Sequence, residues 1–201
     1  MRRPFTGATW SHATFTAQVF HTDLMPTVWS IGHGTRPADE LLAVLNEAEI
    51  KVLADVRSAP GSRRHPQFGR SALASSLAEV GIEYVHLRGL GGRRDAAPGS
   101  PHVALQVEAF RAYADHMASA EFAADYARLG AIARERATAF MCAETLWWRC
   151  HRRLLSDRLV ADGWDVVHLL MPGKREPHRM WDVARVVDGR LVYDGGAIPL
   201  R

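Results

Sequence analysis

The stretch Ala137-Thr138-Ala139-Phe140-Met141-Cys142-Ala143-Glu144 decides the fold that the sequence predicts. Its first five residues form a short, almost continuous apolar run, which is typical of a central strand in a parallel sheet. A cysteine and a carboxylate follow, and the second cysteine, Cys150, comes eight residues after the first on a predicted helix over 146–161. Open α/β sheets hold their chemistry at turns from strand to helix. This segment is therefore the first candidate for a functional site.

Outward from this stretch, strand and helix patterns alternate along the chain. Strands are predicted at 28–31, 51–54, 82–87, 137–141 and 165–169, and apolar residues at helical spacing lie between them. This alternation predicts an α/β fold: an open, mostly parallel sheet of about five strands with helices on both faces, in a Rossmann-like arrangement. Two strand-like runs joined by Asp188-Gly189 predict an additional C-terminal β-hairpin.

The same patterns suggest three parts. Residues 1–26 show no clear periodicity and are expected to form an N-terminal extension. Residues 27–171 form the predicted α/β core domain, and residues 172–201 form a C-terminal hairpin appendage. A chain of 201 residues fits one domain with a small addition.

Composition narrows the class of protein. The chain is 47% hydrophobic and 23% charged, which is typical of a soluble globular protein. No apolar run approaches the roughly 20 residues that span a membrane, and no secretory signal is evident, so a cytoplasmic location is expected. With two cysteines in such a compartment, both thiols are expected to be reduced.

The basic residues are nearly all arginines: of 25 basic residues only Lys51 and Lys174 are lysines. Codon bias in a GC-rich genome is one explanation. Anion recognition is the other, because the planar guanidinium binds phosphate with two parallel hydrogen bonds. Clusters of arginine in Gly-containing loops favour the second explanation.

Polar residues follow the ends of the predicted strands. His33 follows the first strand, Asp55 and Arg57 the second, and Cys142 and Glu144 the fourth. The carboxyl ends of parallel strands lie at one edge of the sheet, so these side chains are expected to converge there. This convergence is stronger evidence for a site than any single motif.

Candidate catalytic residues are Cys142, Glu144, His151 and His33. Cys142 is either a nucleophile activated by a helix N-terminus and nearby arginines or a small residue packed in a turn. Cys150 fits an apolar helix face, and a redox pair with Cys142 is a second possibility. His151 is either a half-buried packing residue or a proton carrier. The two cysteines with His33 or His151 could hold zinc, but without a Cys-x-x-Cys or paired-His motif no metal ligands are predicted, and the sequence requires no cofactor.

Candidate anion-binding residues lie on the same edge. They comprise two glycines at a strand-to-helix turn, an acid and base two residues apart, and two further arginines, namely Gly32, Gly34, Asp55, Arg57, Arg63 and Arg152. Amide groups at such a turn bind anions, although a tight turn alone also requires glycine. Asp55 could equally form a structural ion pair with Arg57.

The motifs together resemble the domain-of-unknown-function 488 family. The resemblance covers about residues 28–170 and rests on four motifs in order: Ile31-Gly32-His33-Gly34-Thr35-Arg36-Pro37; Asp55-Val56-Arg57-Ser58 with Pro60-Gly61-Ser62-Arg63; Tyr84-Val85-His86-Leu87 with Leu90-Gly91-Gly92; and Met141-Cys142-Ala143-Glu144 with Cys150-His151-Arg152-Arg153. The resemblance implies that the candidate residues in these motifs form the family's site, and it implies no particular reaction.

Three functions remain open from the sequence. The first is an enzyme that acts on a phosphate-bearing or nucleotide-like ligand. The second is a nucleic-acid-binding module, for example in DNA repair or stress response, whose basic loops contact phosphates. The third is a redox or metal-responsive regulator that uses the two thiols. No membrane partner is expected.

Overall fold

The computed structural model describes residues 25–61, 64–95 and 97–196. The elements in these residues are β1 (Thr27–Gly32), α1 (Ala38–Glu47), β2 (Val52–Asp55), α2 (Arg70–Glu79), β3 (Glu83–His86), α3 (Glu108–His116), α4 (Ala120–Glu135), β4 (Thr138–Cys142), α5 (Arg152–Ala161), β5 (Asp165–Met171), β6 (Lys174–Pro177), β7 (Ala184–Val187) and β8 (Arg190–Tyr193). Nearly all of the predicted N-terminal extension, residues 1–24, lies outside the described residues.

The main sheet has six strands in the order β3-β2-β4-β1-β5-β6. Strands β1 to β5 are parallel, and β6 is antiparallel to β5. Strands β7 and β8 form a separate two-stranded hairpin. The predicted α/β fold with a mostly parallel sheet and a C-terminal hairpin is confirmed.

Strand β4 is central because its sequence is apolar on both faces. All five of its residues are buried, and it lies between β1 and β2. Alternate side chains point to opposite faces of the sheet. Ala139 and Met141 pack in the core under α1 and α2, whereas Phe140 and Cys142 pack in the core under α3, α4 and α5. The sulfur of Cys142 therefore lies on the α5 side of the sheet.

The predicted helix over 146–161 is wrong at its start. The structure has a short 3-10 turn at Trp147–Arg149, and Cys150 then takes an extended conformation (φ −119°, ψ 153°) before α5 begins at Arg152. Cys150 and His151 thus precede the helix instead of occupying its middle, and Cys142 is ten residues away from the first residue of α5. The apolar helix face proposed for Cys150 does not form.

The range assigned to the appendage, 172–201, contains a strand of the main sheet. Strand β6 pairs with β5 although its sequence, Lys174-Arg175-Glu176-Pro177, has no apolar pattern. The hairpin also contributes to the core, because Leu191 and Tyr193 are buried against the helices.

A buried carboxylate fastens this C-terminal segment to α5. Asp157 accepts hydrogen bonds from His178 Nε2 at 2.8 Å, from the Trp181 backbone N–H at 2.9 Å and from the Tyr193 hydroxyl at 3.1 Å. His178 Nδ1 is in turn 2.9 Å from His168 Nε2 on β5. One side chain therefore holds residues from three places in the C-terminal segment.

The buried imidazole of His168 is expected to make the folded protein less stable in acid. Burial, followed by the nearby His178, lowers its pKa from 6.5 to about 2, so the folded state keeps it neutral. The unfolded chain binds a proton below pH 6.5, and the free energy of unfolding therefore falls with decreasing pH by up to about 1.4 kcal/mol per pH unit. Urea unfolding at several pH values between about 6.5 and 4.5 should show a smaller slope for His168→Gln than for the wild type. Equal slopes for the two proteins would show that His168 does not cause the loss of stability in acid.

No helix in the described part of the chain is both long and apolar enough to cross a membrane.

Candidate functional site

The candidate site lies where the carboxyl ends of β1 and β4 meet. From β1 the chain leads through α1 to β2 on one side, whereas from β4 it leads through α5 to β5 on the other. Divergence of two adjacent connections opens a crevice, which is the usual ligand site in open α/β sheets. Two backbone hydrogen bonds continue the pairing past the strands, from His33 N to Cys142 O and from Gly34 N to Ala143 O, each 3.0 Å long.

The crevice is a cleft of about 670 Å³. Its lining includes three arginines, Arg57, Arg93 and Arg149, and the carboxylate of Glu144. The two cysteines and His151 also face it. We call this cavity, defined by these seven residues, the arginine cleft. Its lining carries more positive than negative side chains, which favours an anionic ligand.

Arg57 is held in place by Asp55. The carboxylate of Asp55 is fully buried and accepts from Arg57 Nε at 2.9 Å and from Arg57 Nη2 at 2.5 Å. It also accepts from the Arg57 backbone N–H and from the Tyr84 hydroxyl. Asp55 does not line the cleft, so it acts as the structural partner that orients Arg57 and not as a ligand-binding group.

His33 completes this arrangement. Its Nε2 lies 3.2 Å from Arg57 Nη1, its Nδ1 lies 2.9 Å from Gly34 O, and its ring stacks on Phe68. Burial, together with the charge of Arg57, lowers the pKa of His33 from 6.5 to about 4. The neutral ring therefore donates from Nδ1 and accepts at Nε2, so both nitrogens are occupied. His33 also lines the cleft, where its contact positions Arg57, and its catalytic role stays a prediction.

Cys142, Cys150 and His151 come together on the wall of the cleft. His151 Nδ1 lies 3.8 Å from Cys142 Sγ and 3.5 Å from Cys150 Sγ. Both cysteines are buried free thiols. They share a hydrogen bond that raises the pKa of Cys142 well above its usual range and lowers that of Cys150 well below it. We call these three residues the thiol–imidazole cluster.

The ring of His151 is tightly enclosed. It lies against Tyr113, with ring centroids 5.0 Å apart, and against the backbone of Gly92. A Cβ at position 92 would lie 2.3 Å from His151 Nδ1, so only glycine fits there. His151 Nε2 is buried and has no hydrogen-bond partner among the described residues. The ring is thus fixed with Nδ1 directed at the two sulfurs.

Arg152 does not reach the cleft, contrary to its predicted anion-binding role. Its guanidinium is buried and donates to Ser30 Oγ at 3.2 Å and to the backbone carbonyls of Glu144 and Thr145. Placed on the first turn of α5, it fastens the loop after β4 to the sheet. Its role is therefore structural, although its positive charge lowers the pKa of both thiols.

The two glycines of the first turn are also structural. The Gly34 N–H is occupied by Ala143 O, so it is not available to an anion as the sequence suggested. At Gly32 a Cβ would lie 2.0 Å from Glu144 O, so glycine allows the loop after β4 to cross close to β1. Gly34 lines the cleft with its N–H already bonded, and Gly32 does not line it.

Glu144 remains a candidate for proton transfer. Its side chain is exposed and lines the cleft, and its Oε1 is 3.4 Å from the Leu146 backbone N–H. Arg63 lies outside the described residues, so its predicted role in anion binding stays a prediction.

The family of the chain follows from its sequence as a whole. The family model described as Domain of unknown function DUF488 matches residues 37–159, more than half of the chain. The chain belongs to the DUF488 family. The match includes Asp55, Arg57 and the thiol–imidazole cluster, and it confirms the suspected family. No curated protein and no solved structure matches this DUF488 chain.

Sequence reasoning missed three contributors to the DUF488 site. Arg93 and Arg149 line the cleft, yet neither is among the candidate residues that the sequence indicates. Gly92 allows the close approach of His151. Their shared signal is position: Gly92 and Arg93 follow the third strand, and Arg149 immediately precedes Cys150. The segments that follow the predicted strands therefore carry the signal for all three residues, and the residues at the strand ends alone do not.

Proposed function

We propose that this DUF488 protein is an enzyme that acts on a phosphate-bearing small molecule in the arginine cleft. One observation carries the proposal: a single cavity of about 670 Å³ joins three arginines to two thiols, an imidazole and a carboxylate. The arginines suit an anion, and the other groups suit chemistry next to it. Such convergence at a switch point of the sheet is the usual setting of an α/β active site.

The three arginines differ in how they could hold an anion. Arg57 is buried and fixed by Asp55, so its contact with a ligand needs little further ordering. Arg93 and Arg149 are exposed and lie in loops from different parts of the chain. A fixed, buried guanidinium with two exposed ones at the entrance fits a ligand whose phosphate enters first, because guanidinium binds phosphate in a bidentate manner.

The shape of the cleft favours a small molecule over nucleic acid. Cavities of about 300–1,000 Å³ are typical of small-molecule sites, and the cleft is within this range. Nucleic-acid binding would use an extended basic surface along many phosphates. Glu144 would carry protons beside the bound ligand, and the thiol–imidazole cluster would provide the reactive groups.

Charge-removing variants test the anion site. We expect Arg93→Gln and Arg149→Gln each to weaken the binding of ADP and of inorganic pyrophosphate about tenfold, since a hydrogen bond to a charged group contributes about 1.5–3 kcal/mol. Isothermal titration calorimetry at fixed salt measures this. Arg128→Gln is the matched control, because Arg128 is an exposed arginine of α4 that does not line the cleft.

Three binding results would overturn the proposal. The first is that neither ADP nor pyrophosphate binds to the wild type, and the second is that all three variants bind alike. The third is tight binding of a random oligonucleotide whose affinity falls steeply with salt, which identifies a nucleic-acid-binding module. Turnover is tested by chromatography of a panel of nucleotides after incubation with the protein. If the nucleotides bind but are always recovered unchanged, the protein is not an enzyme that acts on them.

A further inference from the structure

We infer that the thiol–imidazole cluster is a zinc site with three protein ligands, Cys142 Sγ, Cys150 Sγ and His151 Nδ1, and a fourth position open to the arginine cleft. The three donor atoms all lie within 4.8 Å of one another, and all three residues are buried. The inference deepens the proposed function by naming a cofactor class for the same cavity. Metal binding itself follows from the donor geometry, and only the use of the open position rests on the proposed function.

The two sulfur-to-nitrogen distances match those of a tetrahedral zinc site, and the two sulfurs lie within 4.8 Å of each other. Zinc binds sulfur at about 2.3 Å and imidazole nitrogen at about 2.0–2.1 Å, which places sulfur and nitrogen donors about 3.6 Å apart at the tetrahedral angle. The observed separations from His151 Nδ1 are 3.5 Å to Cys150 and 3.8 Å to Cys142. One ion could therefore contact both sulfurs and the nitrogen with little movement of the protein.

The backbone holds the donors in this arrangement. Cys142 ends the central strand β4, and its N-terminal neighbours are paired on both sides. Cys150 and His151 directly precede α5, whose first residue, Arg152, is fastened to β1 through Ser30. Tyr113 and Gly92 confine the imidazole on its other sides. A site prepared in this way loses little conformational entropy when the ion binds.

The chemistry of the donors selects the metal. Two thiolates and an imidazole are soft or borderline ligands, which suit Zn²⁺ and exclude Ca²⁺ and Mg²⁺ as preferred ions. Two thiolates also balance the double charge of zinc. Zinc sites with three protein ligands keep a fourth position for water or substrate and are typically catalytic, whereas structural sites use four protein ligands.

The fourth position faces the arginine cleft because all three ligand residues line it. Among the described residues the donor group contains no further acidic or imidazole ligand, and the carboxylate of Glu144 lies on the cleft wall outside it. Water or an oxygen of the anionic ligand would occupy the position. The arginines would then bind the rest of the same anion.

Metal titration of the full chain tests this inference. We expect reduced, tag-free protein, stripped with a chelator, to bind one equivalent of Zn²⁺ in competition with a chromophoric chelator. Co²⁺ should give sulfur-to-metal charge-transfer absorption and intense visible bands of tetrahedral coordination. This spectrum of the wild type tests the ligands without any variant that could fail to fold.

Variants identify the ligands. Replacing a group that merely supports a zinc ligand lowers affinity about 10- to 100-fold, so loss of a ligand in Cys150→Ser or His151→Gln should lower it at least about 100-fold. His65→Gln is the matched control, because His65 lines the same cleft outside the donor group. We expect its zinc affinity to equal that of the wild type.

Any one of three results would show that the thiol–imidazole cluster is not a zinc site. They are a wild type that binds no zinc, cobalt spectra without thiolate bands, or ligand variants that bind as well as His65→Gln. Reduced protein that binds no metal and loses two hydrogens on mild oxidation would identify a redox pair instead. Zinc binding without pyrophosphate or ADP binding would refute the proposed function alone, and binding of those anions without zinc would refute this inference alone.

Discussion

Replacing Asp157 by alanine is expected to lower the free energy of unfolding by about 3–5 kcal/mol, because it removes a fully buried acceptor shared by three hydrogen bonds. The carboxylate is fully buried and accepts from His178, the Trp181 backbone and the Tyr193 hydroxyl. Its removal takes the carboxylate acceptor from all three donors, and a buried donor left without an acceptor costs about 1–3 kcal/mol. Urea unfolding followed by circular dichroism measures the change.

An exposed acid in the same segment provides the control. Asp182 lies one residue after Trp181 on the surface, and Asp182→Ala should change the free energy of unfolding by no more than about 0.5 kcal/mol. Amide hydrogen exchange adds a structural readout, because β6 and the hairpin should lose protection before β1 and β4 do. Equal stability of the two variants would show that Asp157 does not fasten the C-terminal segment.

The Asp157 network also explains which strand the sequence could not predict. Strand β6 is Lys174-Arg175-Glu176-Pro177, and three of its four residues are exposed. It forms because β5 offers an open edge and because His178, directly after it, is bound by Asp157. Both causes lie outside the strand itself. The β7–β8 hairpin, in contrast, was predictable since Asp188 and Gly189 both take positive φ, as a primed turn requires.

A central strand could likewise be predicted from the sequence, whereas the start of a helix could not. Strand β4 was predictable because burial on both faces demands an apolar run, and residues 138–142 have one. The start of α5 was not, because the residues from Leu146 to Ala161 fit a continuous helical pattern. Tertiary contacts of Trp147, whose ring stacks on His168 with centroids 4.1 Å apart, hold this segment in a 3-10 turn instead.

The sequence predicted which strand-end residues converge at one edge of the sheet but could not assign the direction of each side chain. Parallel pairing brings His33, Asp55, Arg57 and Cys142 to one edge, as expected from strand order alone. Arg152 is directed away from the cleft because Ser30 and two carbonyls bind it. Contacts of this kind between distant residues leave no periodic trace in the sequence.

Replacing Asp55 by alanine is expected to cost about 3–5 kcal/mol of stability, because it leaves the guanidinium of Arg57 buried without its carboxylate. The same change should weaken pyrophosphate binding at least about tenfold, since Arg57 loses the two hydrogen bonds that orient it. Urea unfolding and calorimetric titration measure the two effects on one variant.

Two further variants separate charge from packing. Tyr84→Phe removes only the hydroxyl that donates to Asp55 and should cost about 1 kcal/mol. The double variant Asp55→Ala/Arg57→Met removes both charges and should be more stable than Asp55→Ala alone, because no unpaired charge stays buried. It should still fail to bind pyrophosphate, since the buried guanidinium of the cleft is absent. If the double variant instead binds pyrophosphate as well as the wild type, Arg57 has no part in holding the anion, and the pair with Asp55 serves the fold alone.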